Sequence, residues 1–164
     1  MSVDLKNICK AIPILPKIDL HRHLIGSVRI QTLLDIATEY NIPLPEKEPE
    51  KLRKIIEIEF PVSSLVDFLR PLRIIGKCFC NKEAIRRIAY EVVEDAAREN
   101  IVYLELIIGP AYEASFHNLP MKEIINGIIC GVESAERKYQ IKVMLIMGPT
   151  FKWKKEERAL QRRY

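Results

Sequence analysis

The 164 residues are 48% hydrophobic and 29% charged, enough apolar material for one compact core, so one domain is expected. No run of about 18 uncharged apolar residues occurs, which argues against a transmembrane helix. The opening Met1-Ser2-Val3-Asp4-Leu5-Lys6 has an early acid and no long apolar stretch, so the sequence reads as cytoplasmic, without a secretory signal. The formal net charge of +4 gathers in Lys152-Trp153-Lys154-Lys155 and in 158–163, while elsewhere acids and bases alternate as on a solvated helix face. No nucleic-acid module accompanies that charge, and nucleic-acid binding is not expected. The four cysteines, Cys9, Cys78, Cys80 and Cys130, lack the spacing of a zinc ribbon and read as reduced thiols.

In chain order, Lys17-Ile18-Asp19-Leu20-His21 follows Pro16 as a short, buried strand. Gly26 breaks the chain, and Ser27 is the expected cap of a helix over 30–40, where Leu33, Leu34, Ala37 and Tyr40 recur at helical spacing. Pro43 and Pro45 end that helix, and an exposed Glu/Lys-rich connection with one short helix runs to Glu59. Ser63-Ser64 caps a further helix through Leu65, Phe68, Leu69 and Leu72, which Pro71 should bend or interrupt. Asn81 caps a long helix over 82–99 with Ile85, Ile88, Ala89, Val92, Val93 and Ala96 on one stripe.

That helix leads into an apolar strand over 101–108, stopped by Gly109-Pro110. The pattern repeats with a helix over 121–139 and a strand over 142–147, stopped by Gly148-Pro149. Nearly continuous apolar strands separated by helices indicate an α/β fold with parallel strands buried on both faces. Three strands make a poor sheet with an edge that wants a partner. A closed (β/α)8 TIM barrel typically needs about 250 residues, so the chain could hold only its N-terminal part. We therefore expect about three parallel strands with helical crossovers in a single partial domain over 1–164, with 148–164 as a divergent basic tail. The shift after Met147 fits either an interrupted reading frame or a short helix over 156–163.

The chemistry concentrates in His21-Arg22-His23. Alternate strand residues point the same way, so His21 and His23 can project together from the strand's end and offer two imidazoles to zinc or a similar metal. The strand's end is also where barrel enzymes carry their sites. The other reading, one packed and one solvated histidine, is common for an isolated His-x-His.

Pro16-Lys17-Ile18-Asp19-Leu20-His21-Arg22-His23-Leu24-Ile25-Gly26-Ser27 resembles the opening motif of the adenosine deaminase family, Pro-Lys-x-Glu-Leu-His-x-His-Leu-Asp/Asn-Gly. The helix from Asn81 to Glu91 and the strand Ile101-Val102-Tyr103-Leu104-Glu105-Leu106 are similar to the family's second βα unit, and the likeness runs from about Leu15 to Met147. The resemblance implies a metal-dependent aminohydrolase, acting on C–N bonds of cyclic amidines, on a (β/α)8 barrel. Its metal lowers the pKa of bound water towards about 7, and hydroxide attacks C6 of a purine with loss of ammonia.

By that resemblance His21 and His23 are two ligands of one divalent metal, Zn2+, and Gly26 lets backbone approach the substrate; a plain turn glycine is the alternative. Asp19 reads either as a partner behind a ligand or as a strand-face residue. Ile25 stands where the family has an acid or amide that meets a ribose hydroxyl, which points to a changed purine such as adenine or a modified adenosine. Glu105 reads as structural, and His117 as a loop residue. The family's further His and Asp ligands and its proton-transferring Glu have no counterpart, so no catalytic residue is assigned within this chain, which alone should be inactive. The expected partners are a purine nucleoside or nucleobase, and a C-terminal half-barrel or a second copy. The rival reading is a non-catalytic half-barrel that serves as a binding or assembly module.

Overall fold

Three parallel strands and the helices between them make up the computed structural model, which describes residues 9–59 and 61–148. The basic tail beyond Gly148, with Trp153, lies outside the described residues. β1 (Lys17–His23), β2 (Ile101–Ile108) and β3 (Lys142–Met147) form one sheet in that order, each neighbouring pair parallel. Between β1 and β2 come α1 (Ile30–Glu39), α2 (Pro49–Ile56), α3 (Leu65–Gly76) and α4 (Lys82–Arg98). Between β2 and β3 come α5 (Pro110–Ala114) and α6 (Met121–Lys138).

Local chemistry sets most boundaries. The Asn81 side chain accepts the Ala84 N–H at 2.9 Å and starts α4, whose expected stripe is fully buried. Ser64 starts α3 by accepting the Asp67 N–H at 3.2 Å. Pro71 was expected to bend or interrupt that helix, yet α3 runs through it to Gly76 with the proline ring buried. Ser27 caps no helix: its hydroxyl turns back to donate to the His23 carbonyl at 2.9 Å, and α1 begins at Ile30 without a side-chain cap. α5 was not anticipated; Pro110 in its first turn has the backbone angle a helix start needs. Asn100 turns from α4 into β2 through a left-handed φ of 63°, and its side chain donates to the Ile14 carbonyl at 2.6 Å.

Leu104, Leu106, Ile108 and Val143 face the helices and are buried among Ile85, Ile88, Val92, Ile124 and Ile128. The opposite face is open, contrary to the expectation of strands buried on both sides. Ile18 is 65% exposed and Leu20 58%, with Met144 also exposed. In a closed barrel that face would look inward, and three strands cannot wrap around to cover it.

Candidate functional site

The C-terminal ends of the strands lie side by side. The Leu24 N–H donates to the Ile107 carbonyl at 3.0 Å, and the Gly148 N–H to that of Ile108 at 2.8 Å. His21 and His23 sit at this end of β1, their ring centres 5.3 Å apart and the ring planes at 52°. Burial, and then the neighbouring His21, hold the His23 imidazole below its usual pKa, so its neutral form prevails at neutral pH. Among the described residues, no group of three or more His, Cys, Asp and Glu side chains forms a metal cluster.

β1 is not regular where the histidines begin. Asp19 pairs with Leu104 and Arg22 with Leu106, so Leu20 and His21 together oppose Glu105 in a bulge. The bulge keeps Leu20, His21 and His23 exposed and leaves Asp19 and Arg22 on the helix side, half-buried. Asp19 therefore faces the helices and meets His21 through its main chain. Its carboxylate accepts the His21 backbone N–H at 3.1 Å and the Arg22 Nε–H at 2.8 Å, and both contacts hold it ionised below the usual carboxylate range despite its burial.

Gly26 lies in a short 3-10 turn, Ile25–Ser27, and its backbone needs no glycine: its φ is not positive, and an added Cβ would meet nothing nearer than the His23 Cβ at 4.0 Å. It borders a cleft of about 450 Å³ lined largely by apolar residues, among them Ile58, Phe68, Leu72 and Ile75. Ile25 packs into the core beside Leu24. Glu105 accepts the Tyr103 hydroxyl at 3.3 Å, and the exposed His117 donates to the Lys77 carbonyl at 2.6 Å, separate from the histidine pair.

A profile of the adenosine deaminase family matches residues 16–163. The chain belongs to the adenosine deaminase family. It is 42% identical over 132 residues to an adenosine deaminase of Klebsiella pneumoniae and 41% over 134 residues to one of Clostridium botulinum. These stretches cover 80% and 82% of the chain, which spans about 40% of the length of each relative. Among solved structures it resembles a zinc-bound amidohydrolase from Burkholderia ambifaria at 26% identity and a TM-score of 0.70, covering 90% of this chain and 39% of that one. It also resembles an Arabidopsis ADAL protein complexed with GMP, at 29% identity and a TM-score of 0.68, over 90% of this chain and 44% of that one. The fold is therefore the N-terminal part of the family's TIM barrel.

Two features around the family motif have no counterpart in the sequence reading. Arg29, three residues past Gly26, donates to Asp95 and Glu94 of α4 at 2.7 Å each, so the β1–α1 turn is pinned to that helix. Glu94 is buried and held below the usual carboxylate range by the Tyr139 hydroxyl and by Arg29. Glu113 of α5 is 1% exposed just beyond the end of β2. One of its oxygens accepts the Gly109 N–H at 3.3 Å, the other has no hydrogen-bond partner, and burial pushes its pKa up to about 7. Arg29 meets α4 across more than sixty residues of sequence, beyond any local count, and Glu113, although four residues from Gly109, carries no pattern that sets it apart from a surface acid.

Proposed function

We propose that this chain forms the first three strands of a purine aminohydrolase, in which His21 and His23 are two of the ligands of one divalent metal, Zn2+ in the simplest case. The reaction is hydrolytic deamination of adenosine or a related purine, with inosine or its analogue and ammonia as products. The observation that carries the proposal is the histidine pair. Two imidazoles on one tetrahedral ion, each at about 2.0–2.1 Å, have ring centres about 5 Å apart, and these are 5.3 Å apart. A neutral His23 keeps a nitrogen lone pair free for an ion. When bound, the ion lowers the pKa of water towards about 7 and so supplies a nucleophile at neutral pH.

The chain's own residues would hold that ion and shape one side of the substrate site. The absent Cβ of Gly26 leaves its backbone accessible beside His23, and the apolar cleft next to it suits the faces of a purine ring. Ile25, packed into the core, offers no hydrogen bond to a ribose hydroxyl, which supports a substrate other than plain adenosine. The GMP complex of the Arabidopsis relative, and a second Arabidopsis neighbour described as an N6-methyl-AMP deaminase at 30% identity and a TM-score of 0.63, agree with a purine of altered substitution. In this reading the remaining metal ligands and the group that carries the proton to ammonia come from strands beyond these three, and the chain alone is inactive.

Complementation tests the proposal. The chain would be co-expressed with the portion of the Klebsiella pneumoniae adenosine deaminase that it does not cover, and ammonia release measured on adenosine, adenine and N6-methyl-AMP. Activity of the pair, its absence in the chain alone, and its loss in His21→Ala or His23→Ala are the expected results. Robust deamination by the chain alone would defeat the incompleteness argument, and full activity in both histidine variants would remove the ligand assignment. A second reading, a half-barrel that serves only in assembly, draws on the exposed Ile18, Leu20 and Met144. It predicts a stable complex of the pair that deaminates none of the three purines.

A further inference from the structure

On a regular strand, a carboxylate two residues before a histidine would share its face. The bulge in β1 breaks that relation: Leu20 and His21 both stand opposite Glu105, and Asp19 and Arg22 pair with the helix-facing Leu104 and Leu106. A bulge interrupts the ladder and leaves its extra residue without a strand partner, so it needs something else to hold it. Asp19 does this from the far side of the sheet. One carboxylate oxygen accepts the backbone N–H of His21 at 3.1 Å, and the other accepts the Nε–H of Arg22 at 2.8 Å. Arg22 then reaches Glu99, just past the end of α4, at 2.9 Å. The chain of contacts therefore runs from the C-terminal end of α4, through a half-buried guanidinium and a carboxylate, to the main chain of one imidazole-bearing residue. Arg22 itself lies between the two histidines in sequence, so fixing its side chain on one face fixes theirs on the other.

We propose that Asp19 and Arg22, steadied by Glu99, are positioning residues that hold the β1 bulge and so set the spacing and tilt of His21 and His23 for one shared metal ion. The inference rests on the reading of the two histidines as ligands. A merely structural strap between strand and helix would change the melting temperature when cut and leave ion affinity alone. Cutting a positioning strap lowers ion affinity as well, because loose imidazoles must be ordered at the moment of binding.

The test is calorimetric titration of Zn2+ into the full chain, with the heat lost in His23→Ala defining the site, and thermal unfolding followed in parallel. Asp19→Ala is expected to weaken Zn2+ binding about tenfold or more, the scale seen when partners behind a ligand are removed. Asp19→Asn, which keeps an acceptor for the His21 N–H but loses the charge that holds Arg22, is expected to fall between the two. Wild-type affinity in Asp19→Ala overturns the positioning role and leaves the ligand reading standing. Wild-type affinity in His23→Ala overturns both. Should Asp19→Ala fail to fold, the exposed Glu99→Gln carries the test. A loss of about threefold, the scale of one outer ion pair, at unchanged melting supports the role, and unchanged affinity overturns it.

Discussion

Glu113 stands out at the scale of single residues because its burial has a consequence for stability. In the folded chain its carboxyl stays neutral up to about pH 7, whereas the ordinary value is 4.5. As pH rises from 4.5, the unfolded chain releases this proton while the folded chain keeps it, and each pH unit in that window costs folding stability. The loss is complete once pH passes the folded value, and amounts to about 3 kcal/mol in total. Glu113→Gln keeps an acceptor for the Gly109 N–H and removes the ionisation. Its stability relative to wild type should be near zero at about pH 4.5 and rise until about pH 7, leaving the variant the more stable at about pH 8. Urea unfolding of both proteins across this range measures the difference, and a difference that stays constant with pH would sink the argument. Glu94 has the opposite sign. Its depressed pKa contributes stability above the ordinary carboxylate range that is lost on acidification, so Glu94→Gln should flatten the acid limb.

Between elements, α6 packs closely on α4, and two glycines permit it. A Cβ on Gly131 would stand 2.4 Å from the Arg86 carbonyl oxygen and 2.8 Å from the Ala89 Cβ, and one on Gly127 would stand 2.9 Å from the Lys82 carbonyl oxygen. Gly131→Ala gains about 1 kcal/mol of helix propensity, but it must push apart two helices in backbone contact, for which overpacking costs are about 1–3 kcal/mol or more. The expected net is destabilisation of about 1–2 kcal/mol, read as a melting temperature several degrees lower. Gly26→Ala, with open space ahead of its Cβ, should leave melting unchanged; a variant at Gly131 as stable as wild type would show that the helices can separate freely. The Gly127-x-x-x-Gly131 spacing puts two small residues on one helix face, a signal that the sequence reading passed over. By contrast, α4 was legible almost to the residue, because an Asn cap and an apolar stripe are local signals. Pro71 misled because its ring is accommodated by packing, and the β1 bulge was invisible because strand alternation assumes a ladder that only the partner strand can break.

For the whole molecule, the order of strands and helices was readable, since helix-separated apolar strands have few solutions, and the histidine pair followed from strand alternation past the bulge. The open face was not readable: a strand that lines a barrel interior has the same composition whether or not the barrel is closed. As described, β1 and β3 each have one neighbouring strand, and Ile18, Leu20 and Met144 stand on the uncovered face. Unpaired edges and exposed apolar side chains both favour association. The chain on its own should therefore self-associate with rising concentration, and adding the complementary part of a relative should compete with that association, since both cover the same face. Leu20→Lys together with Met144→Lys places charge on the face without touching the helix-side core. In sedimentation velocity the double variant should shift towards monomer at concentrations where the wild type associates, with thermal unfolding preserved. A wild-type chain that stays strictly monomeric at every concentration would mean that this face tolerates water on its own, and would remove the main physical reason for expecting a partner there.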